Sequence, residues 1–156
     1  MPTAEQPLPD RVVCITTEQM STNIVPLQII SAREILVIRS QYAREQGWAK
    51  FLRKAYRGVT AMDCSPAVEL TPDGFADELA PRIADWCGSE PVTFIWSGGT
   101  KPLSTGLYLT FRRLQQHNPR HVAVYPDPRR KELQVIREGG APSIHALRAD
   151  ITLEQL

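Results

Sequence analysis

Residues 97–102, Ser-Gly-Gly-Thr-Lys-Pro, place two hydroxyls, two glycines and one amine between a short apolar run and an amphipathic one. These residue types suit an anion. Gly98 and Gly99 allow a tight turn and leave no side chain between backbone N–H groups and a ligand. Pro102 suits the first turn of a helix, whose free N–H groups and dipole favour negative charge. Lys101 adds a mobile positive charge, and Ser97 and Thr100 add hydroxyl donors. A phosphate or phosphodiester fits that set. The spacing is neither GxxxxGK[ST] nor GxGxxG, and no acidic residue follows in a pattern suited to magnesium, which disfavours nucleotide-triphosphate hydrolysis. A second polar cluster, Thr16, Thr17, Glu18 and Gln19, follows another apolar run. Its hydroxyls, amide and carboxylate can reach ribose hydroxyls, base edges or phosphate oxygens. Ser40 and Gln41, then Asp63 and Ser65, stand after two further runs.

Other reactive side chains do not assemble into a site. His117, His121 and His145 lack metal-ligand spacing, and no Ser-His-Asp or Cys-His arrangement is present. No metal or cofactor is expected. Cys14, Cys64 and Cys87 form no CxxC and sit among apolar residues, as buried free thiols of a reducing cytoplasm do. Arg112, Arg113, Arg129, Arg130 and Lys131 read as solvated faces.

The elements that must position the polar clusters follow from periodicity. Apolar, β-branched runs predict strands at Arg11–Thr17, Glu34–Ser40, Val59–Cys64, Pro91–Ser97 and His121–Tyr125. Helical spacing predicts helices from Ser21 or Thr22 to Ile30, with Pro26 in the first turn, and over Tyr42–Tyr56, Pro72–Trp86 and Pro102–His117. Leu133–Arg137 is a hairpin partner for the fifth strand. Continuous apolar strands alternating with amphipathic helices predict an α/β, Rossmann-like three-layer sandwich, mainly parallel, with a C-terminal β-hairpin. Ligands of such sheets bind beyond the carboxyl ends of the strands, where every polar cluster named above falls. At 156 residues the chain is sized for one domain, and its formal net charge of +1 does not suit a duplex-DNA binder. No apolar run is long enough for a membrane span.

The chain resembles the CRISPR-associated Rossmann-fold sensor domains, usually abbreviated CARF, from about Arg11 to Arg137. ITTEQ, TNIVPLQII, EILVIRS, SGGTKPLS and VAVYPDPRRKELQVI carry the resemblance, and Gly-Gly-Thr-Lys-Pro is its most specific part. Trp96 and Ser97 stand where Asn- and Thr-type residues are common in that family. The resemblance implies a cytoplasmic sensor of cyclic oligoadenylate in type III CRISPR antiviral defence. The ring would be four adenylates or, failing that, six, held across the two-fold axis of a homodimer. The ligand-binding residues would be Thr16, Thr17, Glu18, Gln19, Ser40, Gln41, Ser97, Gly98, Gly99, Thr100 and Lys101. Some relatives also cut the ring without metal. By that analogy Lys101 would stabilise charge and Thr17 or Thr16 would orient the 2′-hydroxyl or a phosphate oxygen.

The expected layout is a flexible leader over 1–10, a ligand-binding domain over 11–148, with Ser143–Arg148 as one more strand, and a helix or linker start over 149–156. That last segment would lead to an effector domain beyond this chain. Three functions stay open: a binding module for cyclic oligoadenylate, a metal-independent ring nuclease of the same fold, and a Rossmann-like enzyme using a nucleotide.

Overall fold

The computed structural model describes residues 7–16, 21–65, 71–96, 100–127, 132–138 and 143–146. Their order is β1 (Arg11–Ile15), α1 (Ser21–Ile30), β2 (Glu34–Arg39), α2 (Gln41–Gln46), α3 (Ala49–Ala55), β3 (Val59–Asp63), α4 (Pro72–Cys87), β4 (Thr93–Ile95), α5 (Lys101–His117), β5 (Val122–Asp127), β6 (Glu132–Ile136) and β7 (Ser143–Ala146). Seven strands form one sheet in the order β3-β2-β1-β4-β5-β6-β7. β1 to β5 are mutually parallel; β6 and β7 add antiparallel rungs. The α/β, mainly parallel architecture is the one the sequence predicts.

Adjacent strand residues point to opposite faces, and in β1 and β2 both faces are buried. Val13, Ile15, Leu36, Ile38, Phe94 and Ala123 pack under Phe75, Leu79 and Ile83 of α4 and Leu103, Leu107 and Phe111 of α5. Val12, Cys14, Ile35, Val37, Ile95 and Val122 pack on the other face with Leu27 and Ile30 of α1 and Ala49 and Leu52 of α3. Each fully buried Leu, Ile or Phe contributes about 1.5–3 kcal/mol relative to exposure. These two layers therefore fix which ends of the strands meet.

Several boundaries differ from the periodicity. The helix predicted over Tyr42–Tyr56 is two helices. Gly47 adopts a left-handed φ of 69° and its N–H caps Ala43 and Arg44 carbonyls, closing α2 before α3 begins. Pro26 lies in the second turn of α1 rather than the first. β4 is shorter than Pro91–Ser97, and α5 starts at Lys101, one residue before Pro102. Residues 7–10 are tied down: Leu8 packs on the α1 side of the core, Thr93 Oγ1 donates to Pro9 O at 2.7 Å, and Arg33 N donates to Asp10 O at 2.7 Å. The ordered unit thus begins ahead of Arg11. Cys14, Cys64 and Cys87 are free and buried; burial raises the Cys14 thiol to about 12, which leaves it unreactive.

α4 and α5 lie unusually close where Gly106 faces Phe75. A Cβ on Gly106 would sit 2.7 Å from Phe75 Cδ1, so only glycine fits at this crossing. No helix among the described residues is long and apolar enough to cross a membrane.

Candidate ligand-binding site

β1 is central, flanked by β2 and β4. Its carboxyl end therefore adjoins the carboxyl ends of both, and Thr16 follows directly on that end. Thr16 is buried; its N–H and Oγ1 both donate to Ile38 O, at 3.0 and 3.3 Å. The hydroxyl thus locks β1 to β2 and keeps acceptor capacity only. Thr17, Glu18 and Gln19, like Ser97, Gly98 and Gly99, lie outside the described residues.

At the start of α5, Thr100 has the extended backbone of an N-cap (φ −71°, ψ 164°), but its side chain makes no capping hydrogen bond. Its carbonyl accepts from Ser104 N at 2.9 Å, the first bond of the helix. The side chain of Thr100 thus leaves the first-turn N–H groups to other acceptors. Lys101 is exposed at the first helical position and Pro102 follows. No acidic residue occupies this turn, so its charge is positive.

Ser40 and Gln41 come to the same end of the sheet one strand further out. Ser40 is the N-cap of α2, its Oγ accepting from Ala43 N at 3.1 Å. Gln41 is exposed; its Nε2 donates to Glu45 Oε1 at 3.3 Å. With Arg44, Asp63, Cys64 and Ser65 it lines a cavity of about 340 Å³. Asp63 accepts from Arg39 Nε at 2.7 Å and Arg39 Nη2 at 3.1 Å, with Arg44 Nη1 at 3.5 Å. The Arg39 hydrogen bonds, then the Arg39 and Arg44 charges, hold its carboxyl below the usual range despite partial burial. Asp63 is therefore an acceptor only at neutral pH. Ser65 N and Oγ both donate to the Glu78 carboxylate of α4.

The structure thus brings Thr16, Ser40, Gln41, Thr100 and Lys101 to one end of the sheet. Asp63 and Ser65 are legible as strand-end residues, whereas the contribution of Arg39, Arg44 and Glu78 is not. Arg39 is the last residue of an apolar strand and Arg44 belongs to an exposed helix face, so only the β2–β3 register, Arg39 opposite Asp63, discloses them. Trp96, which the sequence marks only as a departure from the family pattern, has aromatic neighbours that the sequence does not disclose. Its ring lies tilted against Tyr108 and Tyr125, with centroids at 4.7 and 5.7 Å. Arg112 and Arg113 are surface residues as expected; Arg113 pairs with Asp77 of α4 at 2.6 Å. His121, at the start of β5, is buried. Its Nδ1 accepts from Val92 N at 3.0 Å. No cluster of three metal-ligating side chains occurs among the described residues.

No family model matches the sequence, and no curated protein matches it. Solved structures do. Can2 from Sulfobacillus thermosulfidooxidans, in complex with cyclic tetra-adenylate, superposes with a TM-score of 0.70 at 14% identity, covering 94% of this chain and 39% of that protein. Protein VC1899 from Vibrio cholerae gives 0.69 at 16% identity, covering 90% and 36%. A type III CRISPR defence DNA nuclease activated by cyclic oligoadenylate gives 0.63 at 19% identity, covering 94% and 22%. The chain shares their fold and spans well under half of each of their lengths.

Proposed function

We propose that this chain is a CARF-type sensor domain that binds cyclic oligoadenylate, cyclic tetra-adenylate in preference to the six-membered ring, across the axis of a homodimer. The observation that carries the reading is the start of α5. Thr100 leaves the helix N–H groups uncapped by its side chain and Lys101 adds a cation, at the same end of the sheet as the close of the central strand β1. Phosphodiesters are satisfied by such donors without metal. Two of the proteins sharing the fold are described as bound to, or activated by, cyclic oligoadenylate, which supports the ligand class. A closed ring has repeated phosphates and riboses, and a two-fold dimer offers each donor set twice.

Calorimetry with cyclic tetra-adenylate and cyclic hexa-adenylate tests the reading. Saturable heat with one ring per two chains, larger affinity for the four-membered ring, and no requirement for divalent metal are expected. A folded chain giving no heat with either ring refutes it. Chromatography of the same samples for linear oligoadenylate reads out ring cleavage.

A further inference from the structure

We propose that α2 and α3 carry a surface for a single-stranded polynucleotide, separate from the rim where α5 begins. Lys50, Arg53, Lys54 and Arg57 meet its phosphates, and Tyr42 stacks on a base. Residues 41–57 hold five cations and one acid, Glu45, in a chain whose net charge is only +1. Ala49 and Leu52 turn α3 toward the sheet. Lys50, Arg53 and Lys54, at i, i+3 and i+4, form an exposed stripe beside that buried side, and exposed Arg57 follows the C-cap Tyr56. α3 leads toward the amino end of β3, so the stripe runs away from the rim that holds Thr16 and Lys101.

The fold does not account for these four cations. Elsewhere half-exposed arginines meet carboxylates: Arg33 with Asp10, Arg44 with Asp63, Arg113 with Asp77. Lys50, Arg53, Lys54 and Arg57 make no ion pair among the described residues. The helix dipole explains Arg53 and Lys54, which lie in the last turn of α3. It does not explain Lys50, the second residue of α3, where a cation opposes the dipole and no acid in that turn offsets it. Lys50 and Lys54 are also like charges four residues apart, a spacing that weakens a helix. A cation kept where it works against its own helix implies an anion from outside the chain.

The neighbouring aromatic residues decide which anion. Tyr42 is 61% exposed and meets Trp48 edge to face, with ring centroids 5.4 Å apart. Trp48 thus steadies a ring that stays mostly open to solvent. The Lys50 side chain folds back over Gly47, its Nζ 3.7 Å from where a Cβ there would stand, so the ammonium sits over the residue that precedes Trp48. An open ring beside an unpaired row of cations is the combination that single strands use: bases stack on the ring and phosphates meet the cations. An acidic peptide would use the charges and gain little from the ring. A duplex keeps its base faces stacked inside.

The test is fluorescence anisotropy on the whole chain, with labelled strands of about 16 nucleotides, the long end of common site sizes. Oligo-uridylate and oligo-thymidylate separate RNA from DNA; a duplex and polyglutamate are the competing anions. At least one single strand is expected to bind more tightly than either competitor. Its log affinity should fall by about 2–3 per decade of salt, since each phosphate met by a cation contributes about 0.7. Lys50→Gln and Arg53→Gln, checked for folding by circular dichroism, should each lower that slope by about 0.7 and weaken binding about fivefold at about 0.1 M salt. Tyr42→Ala should weaken it about tenfold and leave the slope unchanged. The urea midpoint of Lys50→Gln should equal or exceed that of wild type. Duplex or polyglutamate bound as tightly as the strands, with Tyr42→Ala silent, overturns the proposal. So does displacement of the strand by saturating cyclic tetra-adenylate, which would place it on the rim, or no binding at low salt by the folded chain. A lower urea midpoint for Lys50→Gln would return that cation to the fold and overturn its assignment.

Discussion

Lys101 is exposed at the first position of α5, so its charge works through water until a ligand covers it. Lys101→Ala should therefore weaken cyclic tetra-adenylate binding about tenfold, near 1.4 kcal/mol, with a shallower salt dependence than wild type. Unchanged affinity in a titration at low and high salt would remove Lys101 from the site. His121 makes a different residue-scale prediction. Burial, with a smaller effect from Arg120, holds its imidazole below the ordinary value of 6.5, and its Nδ1 must stay unprotonated to accept from Val92 N. The unfolded chain therefore binds the proton first. The stabilisation is complete above about pH 6.5 and is lost as pH falls through the lower folded value. Urea midpoints should fall from pH 7 to pH 5, and His121→Asn, which keeps an acceptor, should flatten that slope. Asp63, whose folded value is lowered from 3.8, loses its share only at more acidic pH.

At the scale of elements, alternation of apolar strands and amphipathic helices was sufficient to read the layers of a doubly covered, mainly parallel sheet, whereas its strand order comes from the structure alone. β1, β2, β3 and α5 lie within a residue or two of their predicted bounds. The break at Gly47 was missed because the helical spacing of Trp48, Phe51, Leu52 and Ala55 all lies after it, so the pattern carried no mark of where the first helix closes. The short β4 was missed because Val92 is as buried as a strand residue while its N–H bonds to the His121 ring. Arg39 and Arg44 were illegible for a third reason: their role depends on a partner 24 or 19 residues away, on another strand. The contact of α4 with α5 gives the test at this scale. Gly106→Ala puts a methyl against Phe75 and should destabilise the chain by about 1–3 kcal/mol, the usual cost of overpacking. A urea midpoint equal to that of wild type would show that the helices can part there freely.

At the scale of the whole molecule, the sheet gathers its polar strand ends on one rim, and β7 also ends at that rim because Ala146 pairs with Glu132 beside Asp127. A homodimer bridged by a ring predicts a mass for two chains in sedimentation when cyclic tetra-adenylate is present at one equivalent per pair. A single-chain mass under saturating ring would contradict it. The contact at Gly106 bears on how such an event would be felt inside one chain. Phe75 lies in the first turn of α4, one turn before Glu78, which grips Ser65. Gly106 lies in the second turn of α5, below Lys101. With no side chain between them the two helices touch directly at this crossing, so a push on the head of α5 bears on α4 and, through the Glu78–Ser65 grip, on the chain leaving β3.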